Sequence, residues 1–176
     1  MGCGKTTVGR VLAKKTGMKF VDMDRYIEKQ KNMTVSEIFS EYGENYFRDL
    51  EHDACTRLSQ SENLIVATGG GALTYERNCK VIKDNAYVLY LSVPLEIIAK
   101  RLENDTKRPL LQRPDKEQVM RELYSKRIPL YKGCATAVAD ASGSPGAVAE
   151  LIISTMGLKK HAAKSELNPQ NDKLTE

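Results

Sequence analysis

The sequence predicts an α/β fold in which helices cover both faces of a parallel sheet, the doubly wound arrangement. Two observations lead to this prediction. Short, continuously apolar runs alternate with stretches of helical periodicity, and a glycine-rich loop directly precedes the first helix. Strands that are apolar throughout are typical of parallel sheets buried on both faces. The chain has 176 residues, 41% of them hydrophobic and 28% charged, which favours one soluble globular domain.

Each element is predicted from a local pattern. A helix over 7–16 has Val8, Val11 and Leu12 on one face and ends at Gly17. Thr34 and Glu37 form a capping-box signature, and a longer helix is expected over 44–61. Further helices are predicted over 75–84, 95–104, 116–132 and 145–156. The predicted strands are the apolar runs KFVDMD, NLIVATGGG, AYVLYLSVP and the weaker ATAVADA.

Composition excludes several classes of protein. The net charge is only +4 and 6% of the residues are aromatic, so we expect no nucleic-acid partner. No apolar run approaches the roughly 20 residues that span a bilayer, and the first residues do not resemble a signal peptide. We therefore expect a cytoplasmic protein that does not bind membranes. The four cysteines lie far apart in the sequence and show no metal-ligand spacing.

The loop GCGKTT matches the second half of the phosphate-binding pattern G-x-x-x-x-G-K-[ST], whose first glycine would fall two residues before Met1. Small residues such as Gly2 and Gly4 let the backbone approach an anion at the helix N-terminus. In this pattern Lys5 reaches the β- and γ-phosphates, and the Thr6 hydroxyl binds Mg²⁺. The loop therefore predicts a nucleotide-phosphate site.

Acidic and basic residues suggest a second ligand near this loop. If KFVDMD is a strand throughout, Asp22 and Asp24 lie on the same face at its carboxyl end, where ligands bind in open α/β sheets. Arg48 and Glu51 are three residues apart, which alone indicates only an exposed ion pair. Three consecutive glycines after an apolar strand are costly in backbone entropy unless a close approach requires them. Several arginines, taken together, suggest a site for more than one anion.

The order of these motifs resembles the shikimate kinase family over residues 1 to about 156. The motifs are G-x-G-K-T-T, D-x-D followed by Ile27 and Glu28, F-R-x-x-E, G-G-G, R-P-L-L and R-x-P-L-Y. The resemblance implies a single P-loop kinase domain over 1–157, with substrate-binding helices over about 25–61 and a lid over about 103–116. Residues 158–176 are expected to be a disordered tail. The implied activity is ATP-dependent phosphorylation of the 3-hydroxyl of shikimate, with Mg²⁺, by a monomer.

The resemblance also implies roles for particular residues. Asp22 would sit near the metal through water, and Asp24 would bind shikimate hydroxyls and orient the attacking 3-hydroxyl. Arg48 and Arg127 would hold the substrate carboxylate, and Gly70 would offer it a backbone N–H. The remaining implied contacts are to ATP, from the loop residues Gly2, Cys3, Gly4, Lys5, Thr6 and Thr7, from Arg108 in the lid, and from Arg101 and Ser144 near the adenine. Lys5, Asp24 and Arg108 would be the catalytic residues.

The sequence departs from the family pattern at its beginning. Family members start with a strand and a first loop glycine, and that strand is central in their sheet. We expect a misplaced start codon or a truncation, and a chain that is poorly active and marginally folded as it stands. Two alternatives remain open: a related P-loop kinase for another hydroxy acid such as gluconate, and a non-catalytic fragment that binds nucleotide weakly.

Overall fold

The computed structural model describes residues 2–103 and 115–161. The predicted lid with Arg108, and most of the predicted tail, lie outside the described residues. The helices are α1 (Lys5–Thr16), α2 (Met23–Lys31), α3 (Val35–Ser59), α4 (Glu76–Asn85), α5 (Leu95–Leu102), α6 (Lys116–Cys134) and α7 (Pro145–Met156). The strands are β1 (Lys19–Asp22), β2 (Leu64–Ala67), β3 (Leu89–Ser92) and β4 (Ala137–Asp140). One turn of 3-10 helix spans Ala72–Thr74.

The strands form two separate parallel pairs. β1 pairs with β2, with Lys19 opposite Leu64 and Asp22 opposite Ala67. β3 pairs with β4, with Leu89 opposite Ala137. Within the described part of the chain, no strand joins the two pairs. The α/β class and the parallel direction are as predicted, and the carboxyl ends of the strands carry the loops that form the site described below.

A largely apolar cavity of about 460 Å³ borders both pairs of strands. Its lining includes Ile65 of β2 and Leu91 of β3, together with Leu12 of α1 and Ile152 of α7. Because β2 and β3 each have a strand partner on one side only, their unpaired edges leave backbone groups available for pairing. The cavity therefore lies where the sheet is interrupted.

Two hydrophobic clusters hold the elements around the strands. One joins α1, α5 and α7 to β3 through buried residues that include Val8, Val93, Ala149 and Ile152. The other joins α2 and α3 and contains Met23, Ile27, Ile38 and Phe47, all at most 3% exposed. The first cluster supports the glycine-rich loop, and the second supports the helices that carry Asp24 and Arg48.

Local signals determine most helix ends. The capping box of Thr34 and Glu37 is present at the start of α3. α1 ends at Gly17, whose φ of 74° lies in the left-handed region and whose N–H donates to Ala13. α7 begins with Ser144 as N-cap and Pro145 in its first turn. The end of α1 and the start of α7 agree with the predicted bounds, and the capping box lies at the predicted residues.

The structure corrects the prediction in three places. β1 ends at Asp22, and Asp24 lies in the first turn of α2, a helix that the local patterns did not predict, although most of it falls within the substrate-binding helices that the resemblance implies over about 25–61. α3 begins at Val35 rather than 44, because the helix continues across a kink at Gly43, whose φ is 79°. Residues 158–161 are not detached: the N–H of His161 donates to the carbonyl of Lys15 at 2.7 Å, and Leu158 packs on the core.

Candidate active site

The glycine-rich loop leads directly into α1. Gly2 and Gly4 have φ values of 71° and 86°, a region that residues with a side chain rarely adopt. At Gly2, a Cβ would also lie 2.9 Å from side-chain atoms of Ile98 and Leu102. Gly4 caps α1 without a side-chain bond, so no N-cap side chain occupies the first N–H groups of the helix, the groups with which a helix N-terminus binds an anion.

Lys5 and Cys3 lie together in this loop. The Lys5 ammonium donates to the Cys3 Sγ at 3.6 Å. Burial alone raises the pKa of the Cys3 thiol, yet nearby positive charge, Lys5 above all, and hydrogen bonding bring that pKa below its ordinary value. Thr7, the third residue of α1, is exposed. The glycine-rich loop is thus followed by a lysine at the first position of α1.

Thr6 links the loop to β1. Its Oγ1 donates to the Asp22 Oδ2 at 2.8 Å. The other oxygen of Asp22 accepts from the Arg25 N–H at 3.4 Å and caps α2. Asp22 is therefore fixed from two sides: it ends the strand, begins the helix, and presents its carboxylate to the loop.

Asp24 follows in the first turn of α2 and lies within a group of charges. Burial is the largest cause that raises the pKa of its carboxyl, and the charges of Asp22 and Glu28 add to it, while Lys5 and Arg48 oppose it. The outcome is a pKa above the ordinary value of 3.8. Asp22 and Asp24 are close, as predicted, but a strand-to-helix turn brings them together rather than strand alternation.

Arg48 is held by two carboxylates on its own helix. Its Nη1 lies 2.6 Å from Glu51 Oε2, and its Nη2 lies 2.7 Å from Glu44 Oε1. Burial lowers the pKa of this guanidinium, but the hydrogen bonds to Glu51 and Glu44 outweigh burial and raise it. The Arg48 side chain is 15% exposed and that of Glu51 only 1%, so the pair is buried and not the exposed ion pair that the spacing alone indicates.

Glu51 is a residue that the sequence analysis did not place in the site. Burial raises the pKa of its carboxyl; Arg48 opposes this, and the charge of Asp24 adds to it. A Cβ on Gly69 would lie 2.6 Å from Asp24 Oδ1 and 2.9 Å from Glu51 Oε1. The two carboxyls therefore meet at Gly69, and the i, i+3 spacing to Arg48 was the only signal of this in the sequence.

The three glycines after β2 line the same space. A Cβ on Gly71 would lie 2.5 Å from Arg48 Nη1, so this position, like Gly69, allows a close approach. Gly70 faces α6: its carbonyl accepts from Arg127 Nη1 at 3.3 Å and from the Tyr131 hydroxyl. The structure thus brings Arg48 and Arg127, from distant parts of the chain, to the two sides of one short loop.

The segment that follows β4 contacts Arg101 and contains Ser144. Arg101 Nη2 donates to the carbonyls of Ala141 and Ser142 at 3.1 and 3.0 Å. The Ser144 hydroxyl accepts from the Ala147 N–H at 3.3 Å as the cap of α7. Both polar groups have partners within the protein, which makes them part of a formed surface beside the loop.

Comparisons with known proteins agree with this geometry. The family model of shikimate kinase matches residues 1–157. The chain is 40% identical over 153 residues to the shikimate kinase of Thermodesulfovibrio yellowstonii, covering 87% of this chain and 88% of that protein. It is 42% identical over 145 residues to that of Persephonella marina, covering 82% and 87%.

Among solved structures, too, the chain is similar to a shikimate kinase. A shikimate kinase from Acinetobacter baumannii in complex with shikimate matches with a TM-score of 0.82 and 38% identity, covering 89% of this chain and 88% of that one. A gluconokinase from Sinorhizobium meliloti matches with a TM-score of 0.54 and 14% identity, covering 89% and 87%, a likeness of fold alone. The match of the family model over residues 1–157 and the identity to curated relatives lead to one conclusion: the chain belongs to the shikimate kinase family.

Proposed function

We propose that the residues around the glycine-rich loop and Gly69–Gly71 form the active site of a shikimate kinase. A member of this family transfers the γ-phosphoryl group of ATP to the 3-hydroxyl of shikimate. The observation that carries the site proposal is the meeting of Asp24, Glu51 and Gly69 beside Lys5 and Arg48. It places a carboxyl next to both a phosphate-binding loop and a buried guanidinium.

The loop residues would bind ATP. The N–H groups at the start of α1 and the Lys5 ammonium would contact phosphate oxygens, with Gly2, Cys3, Gly4 and Thr7 completing the loop. Phosphoryl transfer depends mainly on positioning and on neutralising negative charge, and a lysine at a helix N-terminus supplies both. Arg101 and Ser144 would lie beside the adenine, supported by their contacts in the loop after β4.

Thr6 and Asp22 fit a Mg²⁺ site. Their oxygens lie 2.8 Å apart, and Mg²⁺ prefers oxygen ligands while keeping several waters. Thr6 would contact the ion directly and Asp22 through water. An ion held by these two residues would supply positive charge that offsets the negative charge of the phosphates.

Asp24 would orient the shikimate 3-hydroxyl and accept its proton. As the hydroxyl oxygen bonds to the γ-phosphorus, the bond to the ADP oxygen breaks and ADP leaves. Because burial and the charges of Asp22 and Glu28 raise the pKa of Asp24, its carboxylate is a better proton acceptor than that of an ordinary aspartate.

Arg48 and Arg127 would bind the carboxylate of shikimate, with the N–H of Gly70 between them. Guanidinium groups match carboxylate geometry, and the two arginines flank the Gly69–Gly71 segment from α3 and α6. Arg108, outside the described residues, remains proposed as the lid residue that contacts the transferring phosphoryl group.

A coupled assay of ADP release tests this assignment. ADP should form with shikimate and not with gluconate or nucleoside monophosphates. Asp24→Asn should abolish most of the turnover, whereas Asp49→Asn, which changes an exposed carboxylate on α3, should leave it unchanged. Turnover with gluconate and none with shikimate would contradict the substrate, and equal loss in both variants would contradict the role of Asp24.

We further propose a monomer located in the cytoplasm. All four cysteines are free thiols, which is typical of a reducing compartment. The large apolar side chains that are exposed, such as Tyr87 and Leu151, are scattered over different elements. In the described residues, no helix is both long and apolar enough to cross a bilayer.

A further inference from the structure

We propose that Tyr131 is a positioning residue for shikimate: its hydroxyl holds the carbonyl of Gly70 and so fixes the shape of the loop that lines the substrate site. The proposal rests on the assignment of Gly70 and Arg127 to shikimate binding made above. It gives a role to Tyr131, the last residue of the R-x-P-L-Y motif, to which neither the sequence analysis nor the comparisons assign one.

The carbonyl of Gly70 accepts hydrogen bonds from two side chains of α6. The Tyr131 hydroxyl is one donor and Arg127 Nη1, at 3.3 Å, is the other. The two residues are one helical turn apart and so lie on the same face of α6. A carbonyl oxygen has two lone pairs, and both are used here.

The loop needs an external anchor because it consists of glycine. Residues 69–71 have the greatest backbone freedom of any tripeptide, yet Gly69 lies against Asp24 and Glu51, and Gly71 lies against Arg48. A displacement of this segment would change the space beside all three charged residues. On the side away from these residues, the contacts with α6 at Gly70 hold the segment in place.

Tyr131 is better suited than Arg127 to hold the carbonyl during catalysis. The guanidinium of Arg127 is proposed to bind the substrate carboxylate, an anion that attracts it more strongly than a neutral carbonyl. The phenol is neutral, and its ring lies against that of Tyr90 on β3, with centroids 5.8 Å apart. Tyr131 can therefore keep its bond to Gly70 while Arg127 binds substrate.

The variant Tyr131→Phe tests the proposal, because it removes the hydroxyl and keeps the ring against Tyr90. We expect the KM for shikimate to rise about three- to tenfold, the effect of one neutral hydrogen bond. The kcat and the KM for ATP should stay unchanged, and the melting temperature should fall by no more than the few degrees that one lost hydrogen bond costs. Tyr90→Phe is the matched control, since it removes the other hydroxyl of the same ring pair and should change neither KM.

Two results would overturn the proposal. An unchanged KM for shikimate in Tyr131→Phe would show that the hydroxyl does not position the loop. An equal rise in both KM values together with a lower melting temperature would show that Tyr131 only supports packing. Arg127→Ala distinguishes a wrong role for Tyr131 from a wrong assignment of the shikimate site. If Arg127→Ala leaves the affinity for shikimate unchanged, the assignment of the carboxylate site is overturned together with the proposal.

Discussion

The charges around Asp24 show how single residues determine the chemistry of the site. Its carboxyl is half-buried and lies near Asp22 and Glu28, which raises its pKa, while Lys5 and Arg48 limit the rise. A raised pKa makes this carboxylate a stronger proton acceptor than that of an ordinary aspartate. Two variants test this role of Asp24, one through turnover and one through pH dependence.

The first variant is Asp24→Asn, which keeps the shape of the side chain and removes the proton acceptor. General-base groups contribute about 10²- to 10⁴-fold to rate, so kcat should fall by at least about 100-fold while ATP affinity stays within twofold. Steady-state kinetics and calorimetric titration with ATP measure the two effects. A kcat within tenfold of the parent would show that Asp24 is not the proton acceptor.

The second variant is Glu28→Gln, which changes the pH profile. The folded-state pKa of Asp24 lies above 3.8, so kcat/KM for shikimate should decline as the pH falls through that raised value and Asp24 becomes protonated. Glu28→Gln removes one of the negative charges that raise the pKa and keeps an oxygen to accept from the Val35 N–H. The acid limb should therefore move to lower pH; a shift to higher pH would contradict this role of Glu28.

A third prediction concerns Arg127. Arg127→Ala should weaken shikimate binding by about tenfold or more, the effect of a lost hydrogen bond to a charged group, and leave ATP binding unchanged. Arg121→Ala, an exposed arginine on the same helix, is the control and should affect neither ligand. Calorimetric titrations that show equal losses for both ligands would assign Arg127 another role.

The proximity of the candidate site residues was predicted from the sequence better than their surroundings were. Short motifs suggested Lys5, Thr6, Asp22, Asp24 and Arg48 as site residues, and the structure brings them near one another. The burial of Glu51 could not be predicted, because it depends on Gly69, which approaches it from a distant part of the chain. Local spacing gives the neighbours on one helix, but only the tertiary fold decides which of them are removed from water.

Among the elements, the helix ends with a recognisable cap were predicted most accurately. α7 has the predicted bounds, and the capping box of α3 is present. The local patterns alone missed α2 because its N-cap, Asp22, is also the last residue of β1, so the acidic pair was interpreted as part of a strand. The apolar pair Met23 and Ile27, four residues apart and buried, was the available signal for that helix.

The cap of α3 gives a prediction at this scale. Thr34 Oγ1 accepts from the Glu37 N–H at 3.2 Å, and the Glu37 carboxylate accepts from the Thr34 N–H at 2.6 Å. Thr34→Ala should lower the free energy of unfolding by about 1 kcal/mol. Thr56→Ala is the control: its hydroxyl donates to a carbonyl of its own helix, and its loss should cost less. Equal effects in urea denaturation would show that the cap contributes nothing specific.

For the whole molecule, the decisive feature is the interruption between the two pairs of strands. The apolar runs predicted each strand, and the family resemblance implied the absence of a central one; the cavity between β2 and β3 agrees with that expectation. Its apolar lining and two unpaired strand edges match the requirements of one extended apolar segment that runs parallel to both strands. Such a segment would end beside Gly2 and join the glycine-rich loop.

Fusing an apolar strand of about eight to ten residues ahead of Met1 should therefore complete the sheet. Each buried Val or Ile side chain stabilises by about 1.5–3 kcal/mol, so the melting temperature should rise by at least about 5 °C. Turnover should rise as well, since a loop displaced by about 1 Å can lose on the order of 100-fold in rate. The control is a Gly/Ser fusion of the same length, which cannot fill the cavity. If both fusions leave stability and turnover equal to those of the parent chain, the sheet tolerates its interruption and the cavity does not accept a strand.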